Sequence, residues 1–401
     1  MCDRYLVPSD IGRYLKFLLE FNMKVVVAVD SFKGSLSSTE ASAAITEGFL
    51  KVDPTVTVKP YSLADGGEGT VQTVISALGG VWREASVFGP LRDNVISQYG
   101  EVVATKTAIM EMASASGITL ITEDRRNPLH TTTYGVGQMI NDAIDHGARN
   151  FIIGIGGSAT NDGGIGMLSA LGFEFLDADG NHVPDGALGL KALKEIRTEG
   201  KRPELDECRF LVACDVKNPL CGESGCSHVF GPQKGATPEM VTDMDAWMEN
   251  YAALTATVIP GADMNYSGCG AAGGLGFAFL NYLGAELKSG VDLILDAINI
   301  EADLPDCDLV ITGEGRIDGQ SYMGKAPVGI AKLAKKYGKP VVAFCGCATK
   351  DASICNDHGI DAIFPILKAP CTVEEAMEIP TAYSNLRETA TQVLRLVKSF
   401  I

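Results

Sequence analysis

Short apolar runs alternate with amphipathic segments at the beginning of the chain. Residues 24–29 form a β-branched run that predicts a buried strand. Ser37 and Glu40 then have capping-box spacing, and apolar residues recur every four positions after them, which predicts a helix. A second strand is predicted over residues 55–58. The chain therefore opens as a β-α-β unit.

The C-terminal part repeats this alternation. A helix is predicted to begin near Pro327 and to end before Gly338 and Pro340. The remaining predictions are strands over 308–312, 341–345 and 361–366, and helices over 374–377 and 384–400. Short buried strands that alternate with helices are typical of a parallel sheet covered on both faces.

The middle of the chain differs, with longer loops rich in proline and glycine. Its predicted strands are 100–104, 151–155 and 209–213. We therefore predict two α/β domains, one formed by both chain ends (23–63 and 286–401) and one inserted between them (64–285). Met23 begins the first strand-like segment, so residues 1–22 are interpreted as an N-terminal extension.

The charge balance restricts the partners. Lysine and arginine number 33 against 50 aspartates and glutamates, for a net charge of −17. A nucleic-acid-binding protein, or one that binds an anionic membrane, needs the opposite sign over much of its surface. A small anionic substrate remains compatible, if the few cations are concentrated at its site.

Cysteines and apolar stretches favour a cytoplasmic protein. The eleven cysteines are an odd number and are scattered, which is typical of reduced thiols. Cys221, Cys226 and His228 lack a second ligand pair at zinc spacing. The longest uncharged stretch, 264–285, contains too many glycines and polar residues for a membrane span.

Glycine-rich loops follow several predicted strands, and such loops favour anions through their backbone N–H groups. Each is by itself most often a plain turn, but basic residues recur in them. The cations are Lys33, Lys217, Lys234, Arg316 and Lys325, and the small residues that accompany them include Ser35, Gly156, Gly157 and Ser158. We expect these residues to bind the phosphates and carboxylate of an anionic ligand.

Carboxylates lie in the same loops or at strand ends, namely Asp30, Asp65, Asp162, Asp215 and Asp318. Some such aspartates cap nearby N–H groups. Others can hold Mg²⁺ or accept the proton of an attacking hydroxyl, the two tasks of phosphoryl transfer. Cationic loops and acidic strand ends, without an arrangement for histidine or cysteine chemistry, favour a kinase outside the P-loop class.

Two familiar fingerprints match incompletely. The spacing of Gly319, Gly324 and Lys325 is near that of a P-loop, but Ala326 replaces the Ser or Thr that would hold Mg²⁺. The segment 268–273 has dinucleotide-binding glycine spacing, but no predicted strand precedes it. This glycine spacing keeps an NAD-dependent oxidoreductase of small hydroxy acids as an alternative. A non-catalytic sensor of a sugar acid is another.

Several longer strings resemble the bacterial type-1 glycerate kinases. They are VAVDSFKGSL (27–36), ADGGEGT (64–70), GIGGSATNDGG (154–164), GPQKGA (231–236) and TGEGRID (312–318). The resemblance runs from about Met23 to the C-terminus. It implies two dissimilar α/β domains, one of them flavodoxin-like, with the active site in the cleft between them.

The same resemblance implies ATP-dependent phosphorylation of D-glycerate, on the 2-hydroxyl, with phosphorylation of the 3-hydroxyl as the alternative. Mg²⁺ is expected to accompany ATP. On this hypothesis Asp162 or Asp65 is the base, and Asp215 carries Mg²⁺. The triphosphate and the substrate carboxylate are expected to contact Lys33, Ser35, Gly156, Gly157, Ser158, Lys234, Arg316 and Lys325. The sequence leaves the oligomeric state open.

Overall fold

The computed structural model describes residues 22–63 and 70–400. The described residues divide into two compact units, 22–63 with 299–400, and 70–298. The predicted extension (1–22) lies outside the described residues except for Asn22, and Asp65 also lies outside them.

Strands and helices alternate in both units. The strands are β1 (Lys24–Val29), β2 (Thr57–Ser62), β3 (Val81–Phe88), β4 (Asn94–Val102), β5 (Thr107–Glu111), β6 (Asn150–Gly154), β7 (Glu174–Leu176), β8 (Glu195–Arg197), β9 (Arg209–Ala213), β10 (Glu286–Lys288), β11 (Leu309–Ile317), β12 (Val341–Ala348) and β13 (Ala362–Pro365). The α-helices are α1 (Ser38–Val52), α2 (Thr70–Leu78), α3 (Ala113–Ser116), α4 (Tyr134–Asp145), α5 (Ile165–Ala170), α6 (Ala187–Ala192), α7 (Cys226–Phe230), α8 (Pro238–Val258), α9 (Leu275–Leu283), α10 (Gly290–Ala297), α11 (Ala326–Lys336), α12 (Val373–Met377) and α13 (Ile379–Lys398).

The first unit contains a parallel sheet of strand order β2-β1-β11-β12-β13. Numbered within the unit, this order is 2-1-3-4-5, which is the flavodoxin-like order. The parallel sheet predicted for the two chain ends is therefore present. Its order reverses between β1 and β11, and ligands of such sheets bind outside the carboxyl ends of the strands at this switch point.

The first helix forms as its sequence predicts. The Ser37 hydroxyl accepts from the Glu40 N–H while the Glu40 carboxylate accepts from the Ser37 N–H, a complete capping box. Helix α1 packs against α13, where the Thr391 hydroxyl donates to the Gly48 carbonyl oxygen. A Cβ at Gly48 would lie 2.4 Å from the Arg387 carbonyl oxygen, so this close approach requires glycine.

Strand β11 is longer than predicted. The predicted strand ends at residue 312, whereas β11 continues to Ile317 because Glu314, Arg316 and Ile317 still pair with β12. A glycine-rich sequence weakens the strand signal, and the pairing with β12 overrides it. The extension brings residues 313–317 to the carboxyl edge of the sheet.

The second unit contains a mixed six-stranded sheet of order β10-β9-β6-β5-β4-β3. Strands β5, β6, β9 and β10 are parallel, whereas β3 and β4 form an antiparallel edge. Because β10 pairs with β9, residues 286–298 belong to this unit. The predicted boundary at residue 285 therefore lies too early along the chain.

Two further features concern the described residues as a whole. No helix among them is both long and apolar enough to cross a membrane. Their ten cysteines are free, and they contain no group of three or more His, Cys, Asp or Glu side chains arranged to hold a metal ion.

Candidate functional site

A cavity of about 410 Å³ lies in the second unit, beside the carboxyl ends of β6 and β9. The chain leaving β6 supplies the loop Gly156–Ser158, and the chain leaving β9 supplies Asp215. Its other lining residues are Ile118, Ile155, Ala213, Cys214, Val216, Phe230, Gln233, Lys234, Ala271 and Ala272. Five predicted site residues thus surround one cavity: Gly156, Gly157, Ser158, Asp215 and Lys234.

The two loop glycines have different reasons to be glycine. Gly157 has φ of 72°, in the left-handed region that favours glycine. A Cβ at Gly156 would meet no atom of the described residues within 4 Å, so packing against them does not require glycine there. The surface of Gly156 is open to the cavity, which leaves room for a ligand to approach the backbone.

Lys234 is the buried cation of this cavity, with 1% of its surface exposed. Its ammonium donates to the Ser158 hydroxyl oxygen at 2.8 Å and to the Thr160 carbonyl oxygen at 2.6 Å. Desolvation lowers the pKa of Lys234 to about 8, although the nearby Cys226 and Asp162 oppose this shift. An ammonium has three N–H donors, so one remains for a ligand.

Two polar atoms near this lysine are buried and have no hydrogen-bond partner among the described residues, the Thr160 hydroxyl oxygen and the Asn161 amide oxygen. The Asn161 amide nitrogen donates to the Ser227 hydroxyl oxygen at 2.9 Å. Buried polar atoms are nearly always paired in folded proteins, so these two atoms have capacity for a bound ligand or a water molecule. These atoms belong to the same loop that supplies Ser158.

Asp215 lies at the end of β9, exposed on the cavity wall. One of its carboxylate oxygens accepts the N–H of Gly290 at 2.9 Å, at the beginning of α10. Among the described residues that line the cavity, it is the one carboxylate. It therefore combines a helix-capping contact with a position suited to a cation.

In the first unit, the other predicted cations lie at the switch point between β1 and β11. Lys325 is the residue before α11, and its Nζ lies 3.7 Å from a Glu314 carboxylate oxygen and 3.6 Å from one of Asp318. The Arg316 Nε lies 3.5 Å from the other Asp318 oxygen. These contacts join four side chains in one charged cluster, namely Glu314, Arg316, Asp318 and Lys325. Lys33 follows β1 in a turn at this same edge.

The turn after β1 also carries Ser35. The Ser35 N–H donates to the Phe32 carbonyl oxygen at 2.8 Å, and Gly34 between them has φ of 79°. The Ser35 hydroxyl oxygen is buried and has no hydrogen-bond partner among the described residues. A Cβ at Gly315 would lie 3.2 Å from the backbone nitrogen of Lys33, so this turn packs closely against β11.

Comparison with known proteins identifies the family. A sequence model described as "Glycerate kinase family" matches residues 25–398. The chain belongs to this glycerate kinase family. Sequence analysis predicts both this membership and a kinase activity class, and both predictions are confirmed.

Relatives of similar length support the assignment. Glycerate 2-kinase of Escherichia coli (strain K12) is 47% identical over 91% of this chain and 95% of its own length. Glycerate kinase of Bacillus subtilis (strain 168) is 45% identical over 94% of this chain and 98% of its own length. A crystal structure assigned as glycerate kinase 2 of Salmonella typhimurium LT2 matches with a TM-score of 0.85 and 44% sequence identity. The match covers 94% of this chain and 98% of that chain.

In this glycerate kinase family member, Asp162 has the environment of a structural residue. It is fully buried and does not line the cavity. One of its carboxylate oxygens accepts the Thr133 N–H and hydroxyl, both at 2.8 Å, and the other accepts the Gly164 N–H at 3.0 Å. Burial raises the pKa of Asp162, and these hydrogen bonds oppose the rise. The geometry favours a role in joining the beginnings of α4 and α5 over the predicted role as a base.

We expect Asp162→Asn to reduce stability more than catalysis. The new amide would place N–H donors against the donors of Thr133 or Gly164, at a cost of about 1–3 kcal/mol. The melting temperature should fall by about 5–10 °C. The kcat measured below that temperature should stay within about tenfold of the wild-type value, whereas loss of a general base costs about 10²–10⁴-fold. A drop of 10³-fold in a fully folded variant would restore Asp162 as the base.

The dinucleotide-like glycine segment has a different structure from a nucleotide-binding turn of the NAD type. A loop, rather than a strand, precedes it, and residues 271–274 form a tight turn in which Ala272 has φ of 52°. The segment leads into α9, and Ala271 and Ala272 line the cavity. The strand-turn-helix context that the NAD alternative requires is therefore missing here.

Sequence analysis does not single out Glu314 or Ser321, although both join the charged cluster of the first unit. The Ser321 hydroxyl donates to a Glu314 carboxylate oxygen at 2.8 Å, and Lys325 Nζ donates to the Ser321 hydroxyl oxygen at 3.3 Å. The available signal was a glutamate between two glycines after an apolar strand. Because the predicted strand ends at residue 312, Glu314 is assigned to a loop and this signal is hidden.

Proposed function

We propose that the protein transfers the γ-phosphoryl group of ATP to the 2-hydroxyl of D-glycerate, giving 2-phosphoglycerate and ADP. Family membership supports the reaction. The structural observation that carries the proposal is the buried cation Lys234, held at a glycine loop beside a cavity. Donors placed where phosphate charge lies are the main catalytic requirement of phosphoryl transfer.

The cavity of the second unit suits the nucleotide. Its volume of about 410 Å³ lies within the range of 300–1,000 Å³ that is usual for ligand pockets, and glycerate alone would leave most of it unfilled. Apolar side chains such as Ile118, Val216 and Phe230 can contact an adenosine group. Gly156, Gly157, Ser158 and Lys234 can contact phosphate oxygens.

The carboxyl edge of the first unit suits glycerate. It combines a small set of cations with neighbouring carboxylates at the switch point of a flavodoxin-like sheet. Lys33, Arg316 and Lys325 can pair with the substrate carboxylate, and the Ser35 hydroxyl can bond a substrate oxygen. The expected placement of the active site in a cleft between the domains stays a prediction.

Mg²⁺ is part of the proposal. Protein sites usually hold this ion through one or two carboxylates together with substrate phosphates, so they need no cage of protein ligands. The exposed Asp215 carboxylate on the cavity wall fits that donor set. The ion would neutralise charge on the phosphates, and Asp215 would hold it at the cavity.

The direct test is ³¹P NMR of a reaction that contains the protein, D-glycerate, ATP and Mg²⁺. We expect a new phosphomonoester signal, split into a doublet by the single proton on carbon 2. A triplet would instead establish transfer to the 3-hydroxyl, whose carbon carries two protons. Unchanged ATP in the presence of an active control kinase would overturn glycerate as the substrate.

A graded series at Gly156 tests the cavity. Because a Cβ at this position meets no atom within 4 Å in the part of the chain that the structure describes, Gly156→Ala and Gly156→Val should fold with unchanged or slightly raised melting temperatures. A side chain that occupies ligand space should cost about 1–3 kcal/mol, so kcat/KM for ATP should fall about 10–100-fold in the valine variant. The alanine variant should lose less. Wild-type kinetics in Gly156→Val would show that the nucleotide binds elsewhere.

A further inference from the structure

We propose that Glu314 is a catalytic residue that accepts the proton from the glycerate hydroxyl during phosphoryl transfer. This inference rests on the proposed function and gives Glu314 the role of base, which the sequence resemblance assigns to Asp162 or Asp65. Asp162 is enclosed by hydrogen-bond donors, and Asp65 lies outside the described residues. The position of Glu314, its contacts and its surroundings each support the assignment.

Position is the first argument. Glu314 lies on β11 at the carboxyl edge of the first sheet, and Asp30 follows β1, the adjacent strand. The strand order reverses between these two strands, where ligands of doubly wound sheets bind. A base must come within hydrogen-bond reach of the reacting hydroxyl, and Glu314 is placed where a small substrate is expected.

The contacts of Glu314 are the second argument. One carboxylate oxygen accepts the Ser321 hydroxyl at 2.8 Å, which fixes the orientation of the side chain. The other lies 3.7 Å from Lys325 Nζ, longer than a direct hydrogen bond. The side chain remains 12% exposed, so it is shielded from bulk water without being sealed. This second oxygen is oriented by its neighbours and retains capacity to accept a proton.

The surroundings keep this carboxyl ready to exchange a proton near neutral pH. Burial raises the pKa of Glu314 to about 7, with Lys325 and Ser321 opposing the rise and Asp30 and Asp318 adding to it. Cys345 on β12 and Cys355 also lie near it. A base whose pKa lies near the working pH combines a large ionised fraction with useful basicity.

The ionised Glu314 carboxylate takes the proton of the 2-hydroxyl as that oxygen forms its bond to the γ-phosphorus. The bond from this phosphorus to the β,γ-bridging oxygen breaks, and its electron pair leaves on ADP. Glu314 then releases the proton to solvent. Lys33, Arg316 and Lys325 would hold the substrate carboxylate during this transfer.

The test compares Glu314→Gln, Glu314→Asp and the control Glu301→Gln between pH 5.5 and 8.5, at saturating ATP. Glu301 belongs to the same unit and accepts the Tyr337 hydroxyl near the surface. In the wild type, kcat/KM for glycerate should rise tenfold per pH unit below about 7 and then level off. Glu314→Gln should lower kcat by at least about 10²-fold and lose this pH dependence. Glu314→Asp should recover part of the rate. The control Glu301→Gln should match the wild type.

Three results would overturn the inference while leaving the kinase activity itself intact. The first is a wild-type profile that is flat between pH 6 and 8. The second is a Glu314→Gln variant that keeps the wild-type rate and pH profile. This result counts equally if Asp65→Asn is the variant that abolishes the acid limb, the fall of kcat/KM below about pH 7. The third is a slow but folded Glu314→Gln variant whose residual activity keeps the acid limb, which would make Glu314 a positioning residue. Should the glutamine variant fail to fold, the wild-type and aspartate profiles decide.

Discussion

Replacing Lys234 with methionine is expected to lower kcat/KM for ATP by about 10²–10³-fold, the usual effect of removing one preorganised donor to transition-state charge. Methionine keeps much of the side-chain volume but leaves the Ser158 hydroxyl and the Thr160 carbonyl without their partner. Steady-state kinetics with varied ATP measure the loss, and circular dichroism with a melting curve verifies the fold.

The pH dependence of the wild type provides a second readout of Lys234. Its pKa of about 8 means that the ammonium loses its proton as pH rises through this value. Because kcat/KM reports groups of the free enzyme, kcat/KM for ATP should fall tenfold per unit above about pH 8. The methionine variant should lack this alkaline limb.

The matched control for this variant is Lys194→Met, which removes an exposed lysine of the same unit. It should retain wild-type kinetics and the wild-type alkaline limb. A folded Lys234→Met variant with undiminished kcat/KM for ATP would mean that Lys234 only stabilises the loop around Ser158. The nucleotide assignment to this cavity would then need revision.

Replacing Asp215 with asparagine is expected to lower kcat by about 10²-fold and to raise the Mg²⁺ concentration at half-maximal rate. Asparagine retains an oxygen that can accept the Gly290 N–H, so α10 should begin as before. What is lost is the negative charge that would hold the cation beside the phosphates. Rates measured over a Mg²⁺ titration give both quantities.

Asp179→Asn supplies the control, since it also removes one exposed carboxylate from the same unit. Its Mg²⁺ titration should coincide with that of the wild type. Partial recovery of the Asp215→Asn rate at high Mg²⁺ would support a role in holding the ion. A large loss of rate with an unchanged Mg²⁺ titration would contradict that role.

Local sequence patterns predict the elements that depend on local interactions. The run 24–29 and the Ser37–Glu40 capping box coincide with β1 and the beginning of α1. The glycine loop at residues 156–158 follows β6, after the predicted strand 151–155, and lines a cavity. Such features succeed because the backbone conformation at glycine and the pairing of a cap involve residues only a few positions apart.

The predicted strand and domain boundaries are wrong where they depend on a pairing strand that is distant along the chain. The end of β11 depends on pairing with β12, and the membership of β10 depends on pairing with β9. No pattern within 309–317 or 286–288 contains that information, because ladder hydrogen bonds join strands that lie tens of residues apart.

The sequence by itself determines which chemical groups this protein carries and that glycine loops hold them, and through its motifs it determines the family. Only the tertiary structure decides what each ionisable group does. Asp162 and Glu314 are both carboxylates beside glycines, yet one is enclosed by N–H donors while the other lies beside a lysine at an open sheet edge. Desolvation and neighbouring charge set the proton affinity of a side chain, and both depend on residues brought together by folding.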